Sequence, residues 1–108
     1  MNTVKLNIGL ENNPYEFADV LTLVNELAIL NSFRQESGEY NGEPERTFVA
    51  SLYSEHTKER ILKQIERLTI EFTQECIAVK INDVGYLVYN PEYKGEKFEF
   101  NNEYFIEP

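Results

Sequence analysis

The sequence predicts an α+β domain of ferredoxin-like βαββαβ order, with one extra C-terminal hairpin strand and an acidic aromatic tail. Three observations predict it. Apolar and polar residues alternate strictly in several short segments, and apolar residues recur at helical spacing behind two capping signals. These patterns follow one another in the order of a split βαβ fold.

Residues 3–10 set Val4, Leu6, Ile8 and Leu10 against Thr3, Lys5, Asn7 and Gly9. A period of two predicts a strand with one buried face. Asn13-Pro14 with Glu16 then supplies an N-cap, a proline at the first helical position and an acid at the third, which together mark a helix start. Phe17, Val20, Leu21, Val24, Leu27 and Ala28 follow at helical spacing. Leu23, Ile29 and Leu30 widen that stripe beyond what one sheet face needs, which suits either core or a second subunit. Residues 35–46 are polar around Asn41-Gly42, a strong hairpin signal because a type I′ turn needs positive φ at both central residues. Residues 36–40 are predicted as a weak edge strand leading into that turn. Residues 47–53 alternate, with Phe48, Ala50 and Leu52 facing one way and Val49, Ser51 and Tyr53 the other.

A second helix is capped by Ser54 or Thr57 and buries Ile61, Leu62, Ile65, Leu68 and Phe72. Its exposed side carries Arg60, Lys63 and Arg67 with Glu59 and Glu66. Ile77, Val79 and Ile81 then alternate with Cys76, Ala78 and Lys80, and Asn82-Asp83-Val84-Gly85 reads as a tight turn into residues 86–90. Residues 1–90 thus form the domain and 91–108 an extension. The extension holds five Glu with Tyr93, Phe98, Phe100, Tyr104 and Phe105. Phe98 and Phe100 alternate with charges, so part of it is expected as a further edge strand, the rest wrapping the domain or a neighbour.

A length of 108 residues suits one domain. The net charge of −9 opposes binding to a nucleic-acid backbone, which needs a surplus of Lys and Arg. It equally opposes docking on an anionic membrane. A protein partner with a basic surface is attracted by it, and the same acidity favours solubility. With one cysteine no internal disulfide forms. Residues 1–30 lack the pattern of a signal peptide and no apolar run has the length of a membrane span, so a cytoplasmic location is expected.

Chemistry is sparse. His56 is the one histidine and reads as a polar residue of a cap region, without a second ligand for a transition metal. Cys76 follows the acidic Glu75, which disfavours a thiolate. At Glu11-Asn12-Asn13 the helix start is an unlikely anion site on chemical grounds, since Pro14 removes an N–H and Glu16 repels. The glycines show no phosphate cradle, and residues 36–45 and 92–107 lack calcium-loop spacing. Those acidic stretches read as a solvated face, with mimicry of a nucleic-acid backbone as the sharper alternative. No catalytic residue, metal or cofactor is predicted.

Alternation also predicts one sheet face left open by the helices. It shows Lys5, Asn7, Val49, Ser51, Tyr53, Ala78 and Lys80, joined by Tyr86 or Tyr89 according to register. Tyrosine supplies large contact area at small entropic cost. Asn7, Ser51, Tyr53, Lys80 and Tyr86 are therefore the candidate ligand-binding residues. Glu99, Glu103, Tyr104, Phe105 and Glu107 of the extension are the candidate partner-binding residues.

Three short pieces recur together in an uncharacterised group of small bacterial ferredoxin-like domains. They are Gly9-Leu10 ending the first strand, Glu45-Arg46 before the middle strand, and Phe72-Thr73-Gln74-Glu75, a Phe-x-Gln-Glu entry to the next strand. Over residues 3–82 the chain resembles that group, although it lacks a tryptophan near the polar hairpin. The resemblance implies the fold and transfers no site.

Three functions are expected from these features, the last a housekeeping subunit with no activity alone. The first is a non-enzymatic, homo-oligomeric binding protein of a phage or mobile element, an inhibitor that occupies a basic site on a host protein. The second is a binder of a nucleotide or small acid, or an enzyme, working on the open sheet face of a homo-oligomer.

Overall fold

The computed structural model describes residues 1–10, 22, 29–40 and 42–108. The expected first helix, from Asn13 through Ala28 with its cap and apolar stripe, and Asn41 of the hairpin lie outside the described residues, apart from Thr22, whose backbone is helical. The described elements are β1 (Asn2–Gly9), β2 (Ile29–Tyr40), β3 (Glu43–Ser54), α1 (Lys58–Glu71), β4 (Cys76–Ile81) and β5 (Val84–Tyr89), with a 3₁₀ turn at Asn102–Tyr104. The architecture is α+β. Five antiparallel strands lie in the order β2-β3-β1-β4-β5. Both β3 and β4 are antiparallel to β1 between them, so β3-α1-β4 is a split βαβ unit.

The alternation of β1 places Val4, Leu6 and Ile8 in the core with Phe48, Leu52, Ile77 and Val79, against Ile61, Ile65 and Leu68 of α1. Thr57 caps α1 by accepting from the Arg60 N–H at 3.3 Å; Ser54 instead accepts from the His56 N–H at 3.2 Å. The helix ends in a Schellman arrangement. The Gln74 N–H donates to the Thr69 carbonyl at 2.8 Å and the Thr73 N–H to that of Ile70 at 3.2 Å. Thr73 takes the left-handed conformation, φ 53°, that this stop requires.

Besides β3, which runs Glu43–Ser54 rather than 47–53, two boundaries differ from expectation. Ile29 and Leu30 do not extend a helix; they begin β2, which runs twelve residues rather than 36–40. β2 pairs with β3 along its whole length, with one interruption between Leu30 and Ser32. Residues 31–37 are exposed on both sides, so ladder hydrogen bonds rather than burial hold this edge, and no alternation marks it. The second difference lies at the β4–β5 turn. Asn82 and Asp83, at φ 50° and 68°, are its two central residues, and Val84 and Gly85 already belong to β5, paired with Ile81 and Lys80.

Candidate functional site

Residues 47–52 of β3 are buried on both faces of the sheet. One face meets the core, and the C-terminal extension covers the other. The extension forms no strand. Asn90 starts it, its N–H donating to the Glu75 carbonyl and its side chain accepting from the Glu92 N–H, both at 2.9 Å. Tyr93 stacks on Tyr89 with ring centroids 5.4 Å apart. The Phe98 N–H then donates to the Tyr89 hydroxyl at 2.7 Å. Phe100 lies over Gly85, where a Cβ would run into its ring. Phe105, 8% exposed, is the buried anchor; its ring centroid is 5.5 Å from that of Phe100 and 4.9 Å from the Lys80 ammonium.

The next two residues fasten the extension to the sheet. Asn7 and Ile106 bond reciprocally: the Ile106 N–H donates to Asn7 Oδ1 at 2.7 Å, and Asn7 Nδ2 donates to the Ile106 carbonyl at 2.9 Å. The Glu107 carboxylate pairs with Lys80 and, at 3.2 Å, with Lys5. Arg34 on β2 donates to the Glu107 carbonyl at 2.8 Å. The extension therefore crosses the sheet from β5 to β2.

Between this strap and the sheet lies a cavity of about 630 Å³. Asn7, Gly9, Thr47, Cys76 and Ala78 contribute from the sheet. Six aromatic residues line it: Tyr89, Tyr93, Phe98, Phe100, Tyr104 and Phe105. So do four carboxylates, Glu45, Glu75, Glu96 and Glu99, while none of the described lining residues is Lys, Arg or His. Lys97 approaches the Tyr89 ring, 5.8 Å from its centroid, without belonging to the lining. The negative field reaches Cys76. Burial first, then the charges of Glu75 and Glu45, pushes its thiol up to about 11.

One corner of the cavity is built from all three short motifs. The Glu45 carboxylate occupies the space where a Cβ on Gly9 would stand. Gln74 donates to the carbonyls of Gly9 at 2.9 Å and Phe72 at 3.0 Å. Phe72 is fully buried in the core, and Glu75 faces the cavity. Gly9 is thus glycine for a reason: its missing side chain admits a carboxylate to the cavity floor.

The structure divides the candidate ligand residues. Asn7 lines the cavity, but its amide is engaged by the strap. Lys80 and Ser51 lie on the same face, buried and outside the lining, and Tyr53 is exposed beyond it. Tyr86 pairs with Val79 and so falls on the opposite, core side, where the Lys58 ammonium sits 5.7 Å from its ring centroid; Tyr89 is the tyrosine that the register sends to the open face. Of the candidate partner residues, Glu99, Tyr104 and Phe105 line the cavity, Glu103 is exposed, and Glu107 is held by Lys5 and Lys80. Sequence reasoning missed Glu45 and Glu75 as site residues. Their signal was present in the short motifs that surround them.

Among the described residues, no group of three or more His, Cys, Asp or Glu is placed to hold a metal ion. No described helix is long and apolar enough to cross a membrane. No protein-family model and no curated protein matches the sequence. Among solved structures, the chain is similar to a phage SAM lyase in its apo state. The TM-score is 0.58 at 18% identity, over 86% of this chain and 92% of that one. At that identity the likeness shows a shared fold.

Proposed function

We propose that the chain binds a small organic cation with a flat aromatic body in the cavity between sheet and strap, and that S-adenosylmethionine is its first candidate. The observation that carries this reading is the composition of the lining: six aromatic residues with the carboxylates of Glu96 and Glu99, and no basic side chain among the described lining residues. Carboxylates gathered around an aromatic cleft attract a cation and repel a phosphate or free acid. Aromatic faces add cation–π attraction and stack on a heterocycle. A cation therefore takes the place of the nucleotide or small acid expected from the sequence. A sulfonium on an adenosine body meets both demands, and the name of the structural neighbour supports trying it first.

Calorimetric titration with S-adenosylmethionine and with S-adenosylhomocysteine, which keeps the zwitterionic amino-acid end and lacks the sulfonium, tests the reading. The sulfonium is expected to bind at least about tenfold more tightly, since a partly desolvated cation–π contact is worth roughly 1–2 kcal/mol. Equal affinities, or no binding of either, would overturn it. Chromatography of the same mixtures separates binding from cleavage of the ligand.

A second reading keeps the inhibitor expected from the sequence. Phe98 and Tyr104 are 62% and 77% exposed beside the exposed Glu99 and Glu103, an acidic aromatic outer side that suits a basic protein surface. The phage source of the structural neighbour supports the expected phage origin. Glu103→Ala separates the two readings. Glu103 does not line the cavity, so its loss leaves ligand affinity unchanged and weakens salt-dependent association with a basic protein.

A further inference from the structure

Outside the cavity, one cluster of charges gathers on the covered sheet face. Lys5 on β1, Arg34 on β2 and Lys80 on β4 share that face by strand register, Lys5 opposite Lys80 and Arg34 opposite Val49. All three converge on one residue of the strap, Glu107. Two of them have acids on the sheet or its turns as well: Asp83 at 3.4 Å from Lys5, and Glu36 at 3.1 Å from Arg34. Lys80 differs. It is 8% exposed, and among the described residues its acid partner is Glu107.

A buried ammonium without an anion is costly. The strap covers the Lys80 ammonium with Phe100 and Phe105 and brings the carboxylate that neutralises it. The strap docks as a short peptide ligand does: an aromatic anchor at Phe105, an amide pair at Ile106, and a carboxylate at Glu107. We infer that Lys5 and Lys80 form a carboxylate-binding site whose resident occupant is the chain's own Glu107, with Arg34 holding the main-chain carbonyl of that residue, and that the carboxylate of a small molecule takes the same place. This inference stands apart from the cavity's ligand, because it concerns cations outside the lining. It bears on that cavity all the same. Phe105 and Ile106 are cavity wall, so an anion that displaces Glu107 frees the residue next to that wall.

Chemical rescue in the full-length protein tests it. Glu107→Ala empties the site, and sodium acetate is added against sodium chloride at equal ionic strength. Acetate is expected to raise the melting temperature of Glu107→Ala by a few degrees over chloride, as binding to the folded state does, and to leave the unsubstituted chain unmoved. A Glu107→Ala chain that folds in acetate and not in chloride gives the same answer. Glu107→Gln, which keeps the side-chain shape, serves as a second background. Adding Lys80→Met to either is expected to abolish the acetate effect. Equal responses to acetate and chloride in both backgrounds, or an acetate effect that survives Lys80→Met, would overturn the inference.

Discussion

Replacing Phe105 by alanine asks how much of the strap's docking rests on one ring. Burying such a side chain is worth about 1.5–3 kcal/mol. The tilted contact with Phe100 and the Lys80 ammonium over the ring add about 0.5–1.5 and 0.5–1 kcal/mol. Together these give about 3–5 kcal/mol, in line with the cost of Phe→Ala in well-packed sites. The loss falls first on the end of the strap, where the remaining ties are the hydrogen bonds of Asn7 to Ile106, that of Arg34 to the Glu107 carbonyl and the ion pairs of Glu107. Native-state hydrogen exchange reads this at one atom, the Ile106 amide that donates to Asn7. A loss of about 3 kcal/mol corresponds to roughly a hundredfold faster exchange there. Amides in the middle of β1 and β3 are expected to change far less. Unchanged protection at Ile106 would refute the ring as anchor. Uniform loss across strap and sheet would refute the strap as a separate unit.

Two further predictions follow from the titrating groups. Cys76, its thiol pushed from 9.0 up to about 11 by burial and two carboxylates, should alkylate at least tenfold more slowly at pH 8 in the folded chain than in urea, because the thiolate is the nucleophile; equal rates would refute the reading. Hydrogen bonding to Lys80 holds the Glu107 carboxyl below its ordinary 4.5, and hydrogen bonding to Glu107 raises the Lys5 ammonium above its ordinary 10.5. The Glu107 contribution is thus present above pH 4.5 and is lost as pH falls through the depressed value; the Lys5 contribution is present below 10.5 and is lost as pH rises through the raised one. Ring-proton shifts of Phe105 should hold steady between these limits and move outside them, with the acid limb absent in Glu107→Gln; an acid limb that persists unchanged in Glu107→Gln would count against the ion pairs.

How much of this was legible in the sequence depended on burial. β1, α1 and β4 could be read because each buries one side, so Val4-Leu6-Ile8 and Ile61-Ile65-Leu68 write their period into the chain. β2 could not, because residues 31–37 are exposed on both sides. Ile29 and Leu30 continue an apolar helical spacing by composition, while pairing with Leu52 and Tyr53 makes them strand. The extension misled in the opposite way. Phe98 and Phe100 alternate as a strand would, yet what fixes them is the Tyr89 hydroxyl and the bare backbone of Gly85. Alternation identified the sheet face that the strap covers, but only tertiary structure shows that Asn7 and Lys80 bind the strap. It alone shows that Glu45 and Glu75 both line the cavity.

The reciprocal bond between Asn7 and Ile106 joins residues 99 positions apart, and this bears on the order of folding. Contacts so distant in sequence repay their loop-closure entropy only after intervening elements have brought their ends together. The β4–β5 hairpin and the β2–β3 hairpin are local and have no such wait. The strap can seat only on a sheet in which β1 already lies between β3 and β4. Its docking is therefore expected late, as a slow step separate from sheet formation, and the cavity exists as a cavity only once that step is complete.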